Sequence, residues 1–574
     1  MVSQERVEKT DYLTRLGPVR KISGGTFIAE TLKAYGVTHV FFMEAILRRV
    51  LFELKPLGVT HVLAHSEKSA AYMADGYARA GRKPGICMSQ SVGAANLAAG
   101  LQDAYLGRSP VISITGRQVP MAQYRNAYQE ILHSPLFEPV TKYNVNVDDV
   151  KQLPFLLRQA FREATTGRPG PVHLDVMDNV GRVIEASEAE MEIVVEEPFT
   201  RYPAFRPEPE QAWVQQAARI LEKSKRPLIV AGGGATASSA GPDIVELAER
   251  LSIPVATSLN GKGTILENHP LSVGVVGTYS CWCANKVAAQ ADLVIFIGSS
   301  TGDQVTNIWT LPKPGTPVIQ VDIEPSEIGR SYPVTIGLMG DAKVTVRRLI
   351  EAVDTKTKKR DWSEHAGSIV DAWLEEIRPL QESDSSPIRV ERLCKELTEC
   401  LPSDGILVAC TGWSGIWTGT MVHMTHPEQS YIRAAGSLGW GFPASLGAKC
   451  GASGRPVVCF TGDGALWYHI SELETASRYG IKTVTVVNNN HALNQDAHGL
   501  RRQFGDRPEN DGLVKFQETN FANIAREMGC MGIRVEKASE IAGALKKALE
   551  TDRPALVEVI TDPSCAAPSP WTPG

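Results

Sequence analysis

Short apolar runs alternate with amphipathic stretches along most of this chain. The runs at residues 39–43, 60–64 and 85–91 are mostly apolar, and the stretches between them repeat apolar residues at helical spacing. One helix is predicted to begin after Ser23, a residue type that caps helix N-termini, and to end at Gly36. Short buried strands alternating with helices are typical of an open, mostly parallel sheet. The pattern therefore predicts an α/β fold.

The same alternation recurs in three blocks of similar length and pattern, which suggests three copies of one broad architecture. We expect three doubly wound, mostly parallel-sheet domains, separated by polar stretches. The predicted segments are, in order, an extended polar arm (1–20), a first domain (21–195), a Pro-rich acidic linker (196–210), a central domain (207–353), a charged helical connector (354–386), a third domain (387–562) and an irregular tail (563–574).

Composition and charge exclude several classes of protein. The chain has 574 residues, of which 43% are hydrophobic and 21% charged, which is enough to bury several cores. The net charge of −5 gives no reason to expect a nucleic acid or membrane partner, and no apolar stretch reaches the ~20 residues of a membrane span. The amino terminus lacks the apolar core of a signal peptide, and the ten cysteines are scattered. We therefore expect a cytoplasmic protein with reduced cysteines.

An acidic residue follows one apolar run of the third domain, and amides follow the next. The run at 457–460 leads into Gly462-Asp463-Gly464, and the run at 481–487 ends in three asparagines, at positions 488–490. Because neighbouring parallel strands end at one edge of a sheet, the carboxylate and the amides are predicted to lie side by side. Such oxygen ligands suit Mg²⁺, an ion that usually shares its shell with phosphate. A Gly-Asp-Gly hairpin turn beside an unrelated polar loop is the alternative.

This arrangement resembles the cofactor motif of thiamine-diphosphate enzymes. Asp463 and Asn490 are separated by 27 residues (490 − 463), and the similarity to acetohydroxyacid (acetolactate) synthases and related 2-keto acid decarboxylases and carboligases extends from about residue 23 to 560. The resemblance implies that Mg²⁺ is bound by Asp463, Asn490 and the main-chain carbonyl of Ala492. It also implies that thiamine diphosphate contacts their neighbours Gly462, Gly464, Ala465 and Leu493.

The first domain carries segments similar to the family's catalytic ones. Glu67 begins a segment resembling His-Glu-x-x-Ala…Ala-Glu-Gly-Tyr-Ala-Arg, although an extra residue separates it from His65. This resemblance implies that Glu67 hydrogen-bonds N1′ of the aminopyrimidine and so assists loss of the C2 proton of the thiazolium. The alternative is a carboxylate that only stabilises a helix N-terminus. Gln129 lies in a segment similar to Ala-Phe-Gln-Glu, which implies a place near the reacting carbon, with Lys142 in the same wall.

The third domain carries two more segments that resemble the family. Gly412, Trp413 and Ser414 follow an apolar strand, at the turn where the family binds diphosphate, although a plain strand–helix turn would look the same. Gly436 and Leu438 lie in a segment similar to Gly-Thr-Met-Gly-Tyr-Gly-Leu-Pro. This similarity implies that Leu438 forces the cofactor into a V shape, a bend that brings its 4′-nitrogen against C2.

The substrate side departs from the family pattern. Ser300 and Gln304 stand where the synthases have two arginines, one touching a structural FAD and the other clamping the carboxylate of the acceptor keto acid. A glutamine cannot supply a charged bidentate fork, so a bound FAD and a keto-acid acceptor are both in doubt. The glycines at 232–234 follow a strand and open a helix, but they lack the full spaced-glycine fingerprint. The family's Gln-Gly-Met…Gln-Trp segment is also replaced, and the tryptophan that shapes the acceptor pocket is missing.

The resemblance implies an enzyme dependent on thiamine diphosphate and Mg²⁺, a C–C bond lyase or carboligase like acetolactate synthase. It would form an acyl-anion equivalent from a 2-keto acid such as pyruvate, or from a diketone, and transfer it to an aldehyde or ketone acceptor. The changed substrate wall favours a specialised carboligase. A homodimer is the implied minimum and a homotetramer is expected, because the family's sites form between subunits. The alternatives are a 2-hydroxyacyl-CoA lyase or oxalyl-CoA decarboxylase, a hydrolytic diketone lyase, and a non-catalytic nucleotide-binding relative.

Overall fold

Three six-stranded parallel sheets, each flanked by helices, dominate the fold. A computed structural model describes residues 7–9, 12–43, 47–177, 182–354 and 361–573. Each sheet lies inside one of the three predicted blocks, and the predicted α/β class with mostly parallel sheets is confirmed. All ten cysteines are free thiols. Within the described ranges, no helix is both long enough and apolar enough to cross a membrane.

The first domain pairs a parallel sheet with a small antiparallel one. Its elements are β1 (Val7–Lys9), β2 (Leu13–Ser23), α1 (Gly24–Ala34), β3 (His39–Met43), α2 (Arg48–Leu54), β4 (Thr60–Leu63), α3 (Glu67–Gly81), β5 (Gly85–Gln90), α4 (Gly93–Gly107), β6 (Val111–Arg117), α5 (Ser134–Phe137), β7 (Tyr143–Val147), α6 (Leu153–Thr165), β8 (Val172–Met177) and β9 (Glu188–Glu196). The parallel sheet has the order β4-β3-β5-β6-β8-β7. Ser23 caps α1 as predicted, because its hydroxyl accepts the Thr26 N–H.

The amino-terminal arm is part of a sheet rather than a separate extension. Strands β1, β2 and β9 form a three-stranded antiparallel sheet, and β2 pairs with β9 along most of its length. Strands β1 and β2 are thereby tied to β9, at the end of the first domain. Residues 1–6, 10 and 11 of the predicted arm lie outside the described residues.

The central domain has a different strand order. Its elements are α7 (Gln211–Lys223), β10 (Pro227–Ala231), α8 (Gly233–Ser238), α9 (Gly241–Leu251), β11 (Val255–Thr257), β12 (Ser272–Val275), α10 (Trp282–Gln290), β13 (Leu293–Ile297), α11 (Asp303–Thr306), β14 (Val318–Asp322), β15 (Ile336–Met339) and α12 (Ala342–Ala352), and the connector helix α13 (Asp361–Gln381) follows. The strands are parallel and have the order β12-β11-β10-β13-β14-β15. From β10 the chain adds strands first to one side of the sheet and then, from β13, to the other. The carboxyl ends of β10 and β13 therefore border a crevice, which is where ligands of α/β sheets usually bind.

The third domain repeats the topology of the first. Its elements are α14 (Val390–Cys400), β16 (Ile406–Ala409), α15 (Trp413–Met421), β17 (Ser430–Arg433), α16 (Gly441–Gly451), β18 (Val457–Gly462), α17 (Asp463–Trp467), α18 (Glu472–Tyr479), β19 (Val484–Asn489), α19 (Asn494–Phe504), α20 (Asp511–Val514), α21 (Phe521–Glu527), β20 (Met531–Val535), α22 (Ile541–Glu550) and β21 (Ala555–Ile560). The order β17-β16-β18-β19-β21-β20 matches the first sheet strand for strand. The expectation of three copies of one broad architecture is therefore confirmed, since all three domains are parallel sheets flanked by helices, although the central sheet has its own strand order.

The outer domains meet where α3 crosses α16 with their backbones in contact. A Cβ atom on Gly76 would lie 1.9 Å from the carbonyl oxygen of Ala444, and one on Gly447 would lie 1.8 Å from that of Met73. Real Cβ atoms do not approach so closely, so this crossing requires glycine at both positions.

A substitution at this crossing tests how strongly the fold depends on it. We expect Gly447→Ala to lower the free energy of unfolding by about 3 kcal/mol or more, because the backbone of α3 must move away to admit the methyl group. Chemical denaturation of the purified variant measures the change. Gly454→Ala is the control, since a Cβ there meets nothing within 4 Å. Equal stability of the two variants would contradict the interpretation.

Candidate active site

A cavity of about 260 Å³ lies at the carboxyl edge of the third sheet. Strands β18 and β19 are parallel neighbours, with Gly462 opposite Asn488, so the residues that follow them come together as the sequence predicts. Of the twelve residues expected to contact the cofactor, only Gly436 is not in the wall. The others line it: Gly412, Trp413, Ser414, Leu438, Gly462, Asp463, Gly464, Ala465, Asn490, Ala492 and Leu493.

Asp463 is a buried carboxylate held by main-chain donors. Its Oδ1 accepts the Gly464 N–H at 2.7 Å and its Oδ2 accepts the Ala492 N–H at 3.0 Å. Burial raises the pKa of this carboxyl to about 6, so a cation beside it would stabilise the charged form. Asp463 begins α17 at the end of a parallel strand, so the hairpin-turn alternative is wrong.

Two of the three consecutive asparagines are used within the protein, whereas the third is not. The Oδ1 atom of Asn488 accepts the Thr561 hydroxyl at 2.5 Å, and Nδ2 of Asn489 donates to Glu558 at 2.7 Å. Oδ1 of Asn490 is buried and has no hydrogen-bond partner in the described part of the chain. Such an acceptor costs about 1–3 kcal/mol unless something satisfies it.

These oxygen atoms form a donor set suited to Mg²⁺. Asp463 offers a carboxylate, Asn490 a free amide oxygen and Ala492 a main-chain carbonyl, and hard divalent cations bind through oxygen. In the ranges that the structure describes, no group of three or more His, Cys, Asp or Glu side chains could hold a metal. The Mg²⁺ site implied by the sequence needs only one acidic side chain, Asp463, together with two neutral oxygen ligands. The residues present therefore fit this ion.

The turn before α15 has the features of a diphosphate site. Gly412 has φ of 65°, a value that favours glycine, and a Cβ there would lie 3.0 Å from Oε1 of Gln495. It immediately precedes α15, whose first residues Trp413 and Ser414 line the cavity. Helix N-termini present main-chain N–H groups and a positive dipole end, which favours phosphate.

The loop that carries Leu438 is held by Asp103 of the first domain. The buried carboxylate of Asp103, in the second half of α4, accepts the N–H groups of Ala435, Gly436 and Ser437 at 2.7, 3.1 and 2.9 Å. Gly436 therefore serves this loop rather than the cavity wall. Nothing in the local sequence around Asp103 indicates the contact, because it joins residues more than three hundred positions apart.

Glu67 lies at the first position of α3, away from this cavity. Its carboxylate accepts the Asn96 Nδ2 donor at 3.2 Å, and a Cβ on Gly93 would lie 2.4 Å from its Oε1. The neighbouring Ser69 hydroxyl is hydrogen-bonded to His469 of the third domain at 2.9 Å. Among the described residues, those lining the cavity belong to the third domain, apart from Tyr279 of the central one. Glu67 is therefore not part of the cavity wall within one chain.

The other two first-domain candidates also lie outside the cavity. Gln129 has φ of 59° and lies in an irregular loop between β6 and α5. The ammonium group of Lys142 donates to the main-chain carbonyls of Glu163, Thr166 and Arg168 at 2.8, 2.9 and 2.7 Å. Lys142 thus stabilises the C-terminal end of α6. These contacts explain its position without any role in binding a substrate. Nε2 of His65 lies 2.8 Å from a carboxylate oxygen of Glu474, on the surface.

A second cavity, of about 340 Å³, lies between the three domains at the crevice of the central sheet. Gln304 and Ser300 line it, and both accept hydrogen bonds from arginines: Arg433 donates to Gln304 at 2.7 Å and Arg168 to Ser300 at 3.1 Å. Tyr279 lines both cavities. The sequence reading missed Arg433 and Tyr279, because neither lies in a motif. That FAD binding is in doubt stays a prediction.

Comparisons with known proteins agree with the cofactor cavity. Residues 22–136, 214–349 and 411–559 match, in turn, the N-terminal thiamine-pyrophosphate-binding domain, the central domain and the C-terminal thiamine-pyrophosphate-binding domain of thiamine pyrophosphate enzymes.

Several similar proteins carry the name acetolactate synthase. A probable acetolactate synthase large subunit of Methanocaldococcus jannaschii is 33% identical, over 95% of this chain and 93% of its own length. One from Methanococcus aeolicus is 34% identical over 88% and 86%, and the isozyme 2 large subunit of Escherichia coli is 28% identical over 94% and 96%. The chain therefore belongs to the acetolactate synthase family of thiamine-diphosphate-dependent enzymes and is a carboligase of that kind.

Proposed function

We propose that this enzyme forms an acyl-anion equivalent from a small 2-keto acid such as pyruvate, or from a 1,2-diketone, and adds it to an aldehyde or ketone. The observation that most supports this proposal is the unpaired Oδ1 of Asn490, which lines the same cavity as buried Asp463 and the N-terminus of α15. Bound thiamine diphosphate supplies a nucleophilic carbon and an electron sink, which together allow a C–C bond next to a carbonyl to break or form. Nothing found favours the CoA-dependent, hydrolytic or non-catalytic alternatives.

The third domain would bind the charged end of the cofactor. Asp463, Asn490 and the carbonyl of Ala492 would hold Mg²⁺, while the N–H groups at the start of α15 neutralise diphosphate oxygens. Leu438, held in place through the contacts of Asp103 with its loop, would support the ring end. These residues bind and orient the cofactor without transferring a proton.

Glu67 would handle the proton of the aminopyrimidine ring, and a second copy of this chain would bring it to the cavity. Within one chain α3 packs against α16, and Ser69 in its first turn is hydrogen-bonded to His469 just before α18, so Glu67 is held outside the wall of the cavity that its own third domain forms. The loop that carries Gln129 exposes large apolar side chains: Met121, Tyr124 and Tyr128 are 82%, 86% and 82% exposed. Such a patch marks an association surface. We therefore propose a homodimer as the active unit, consistent with further assembly to a tetramer.

Adjacent asparagines provide a matched test of the metal site. We expect Asn490→Ala to weaken Mg²⁺-dependent binding of thiamine diphosphate about 100-fold while leaving apoprotein stability within ~1 kcal/mol, because its amide oxygen is unpaired. Asn489→Ala should lower apoprotein stability by about 2 kcal/mol, because it removes a hydrogen bond to buried Glu558. Calorimetric titration and denaturation measure the two effects. Loss of stability without loss of cofactor affinity in Asn490→Ala would exclude the proposed ligand.

Mixing two inactive variants tests the site between subunits. Glu67→Gln and Asp463→Asn should each abolish turnover. If the two residues meet across a dimer interface, subunits mixed by mild unfolding and refolding should regain about a quarter of wild-type activity, since half of the dimers are mixed and each has one intact site. Glu67→Gln refolded alone is the control. Inactive mixed dimers would show that both residues act within one chain.

Substrate screening tests the reaction itself. Holoenzyme given pyruvate and a panel of aldehydes, ketones and diketones should release CO₂ and form products with a new C–C bond, which mass spectrometry identifies. Chelation of Mg²⁺ should abolish both signals, and adding the ion back should restore them. Diketone cleavage without ligation, or a requirement for CoA, would contradict the proposal.

A further inference from the structure

The loop that carries Gln129 is held at both ends by one carboxylate. Residues 118–132, all of them described, join β6 to α5 without forming a helix or a strand. Arg117 ends β6 directly before the loop, and His133 directly follows it. Oδ1 of Asp175, on β8, accepts a hydrogen bond from Nδ1 of His133 at 2.9 Å, and its Oδ2 lies 3.5 Å from Nε of Arg117. The two ends of the loop therefore meet at one side chain.

Asp175 belongs to a buried polar network at the carboxyl edge of the first sheet. The Thr115 hydroxyl lies 3.1 Å from Oδ1 of Asp175 and 2.6 Å from Nε2 of His173. On the other side of its ring, His173 donates from Nδ1 to Oδ1 of Asn144 at 2.8 Å. Burial, and secondly the neighbouring His133, lower the pKa of His173 well below its ordinary value, so this ring is neutral. Buried hydrogen-bonded networks specify one arrangement of their members, and this network thereby fixes the ends of the loop.

The loop depends on such fixing because its backbone is strained. Tyr124, Asn126 and Gln129 have φ of 60°, 55° and 59°, values that residues other than glycine adopt infrequently. A strained backbone persists only where the surrounding contacts determine it. One contact spans the loop: Nε2 of Gln118 donates to the carbonyl of Tyr128 at 2.8 Å, immediately before Gln129. The contacts at the two ends and this one across the loop set the position of Gln129.

This loop contributes little to the core of its own chain. Its large apolar side chains point to solvent, and Gln129 itself is half-buried. Side chains that bury little apolar surface stabilise a domain little. A buried carboxylate at the base of an exposed, strained loop therefore serves what the loop contacts outside its own domain.

We propose that Asp175 is a positioning residue of the active site, which fixes the loop of residues 118–132 and so places Gln129 where a second copy of the chain completes the site. This inference rests on the proposed function. Asp175 transfers no proton and binds no substrate, and it acts only through Arg117 and His133. A loop released at either end would hold Gln129 in several positions, and a misplacement of about 1 Å at a reacting centre can cost about 100-fold in rate.

Tryptic cleavage after Arg125 tests the position of the loop without any substrate. Arg125 is exposed within the loop, and a protease cuts there when the backbone opens locally. Asp175→Asn keeps the shape of the side chain and removes the charge that both ends share, so we expect it to raise the cleavage rate of the holoenzyme about tenfold. Mass spectrometry of the fragments identifies the cut.

Asp148→Asn is the matched control for this experiment. Asp148 pairs with the same Arg117, but its side chain is 56% exposed. Exposed ion pairs contribute little, so cleavage of this variant should stay within about twofold of the wild-type rate.

A double-mutant cycle separates positioning from a general loss of structure. With pyruvate as substrate, Asp175→Asn should lower kcat about 30-fold while KM changes less than about threefold. In a Gln129→Ala background, the same substitution should lower kcat less than about twofold, because the group that Asp175 positions is already absent. Calorimetric affinity of the apoenzyme for thiamine diphosphate with Mg²⁺ should stay within about twofold of wild type, since the third domain binds the charged end of the cofactor.

A second variant guards against a folding defect in Asp175→Asn. Arg117→Gln releases one end of the loop and leaves the buried contact between Asp175 and His133 intact, so we expect cleavage about threefold faster and kcat about fivefold lower. Wild-type cleavage rates in both variants, an equal loss of kcat with and without Gln129, or a matching loss of cofactor affinity would each overturn the assignment. A wild-type enzyme that uses no keto acid or diketone would instead refute the proposed function, and the cleavage rates would still decide whether Asp175 fixes the loop.

Discussion

The backbone contact between α3 and α16 fixes the relation between the two outer domains. Gly76 and Gly447 leave no side chain between the helices, so the distance and the angle of the crossing are set by main-chain atoms. Polar contacts beside the crossing depend on that fixed distance. Asp75 of α3 accepts the indole N–H of Trp440 at 2.9 Å, and Arg79 of α3 donates to the main-chain carbonyl of Arg433 at 2.7 Å. The same packing holds Glu67, at the start of α3, outside the wall of the cofactor cavity, which is why we propose that a second copy of the chain completes the site.

The sequence predicted the fold class because strand and helix periodicities are local. It did not predict strand order, since a strand buried on both faces is apolar throughout and contains no information about its neighbours. The central sheet thus has the same alternating pattern as the outer two but a different order. The arm was predicted to be extended, and the strands in its described residues agree, but their partner β9 lies more than 150 residues away and leaves no signal in the arm itself.

For the site as well, contacts within one local unit could be predicted from the sequence, whereas contacts between distant segments could not. Asp463 and Asn490 could be placed together because one strand–helix–strand unit contains both, and parallel pairing brings the two strand ends to one edge. The chemical difference among the three asparagines could not be predicted, because it depends on Thr561 and Glu558, from the distant strand β21 and its end. Asp103 was missed for a similar reason. Its function is to join three N–H groups of another domain, and the residues around it in α4 give no indication of that.

The pair formed by Gln304 and Arg433 shows why a missing residue is weak evidence for a missing function. The resemblance to the family predicts an arginine at position 304, and the glutamine found there argues by itself against an anionic ligand. The fold nevertheless places a guanidinium 2.7 Å from that amide, from a strand of another domain. A ligand responds to the charge and geometry of the cavity wall, and not to the segment that provides them. The electrostatic character of this cavity must therefore be judged from all three domains together, and on that basis it still favours an anion.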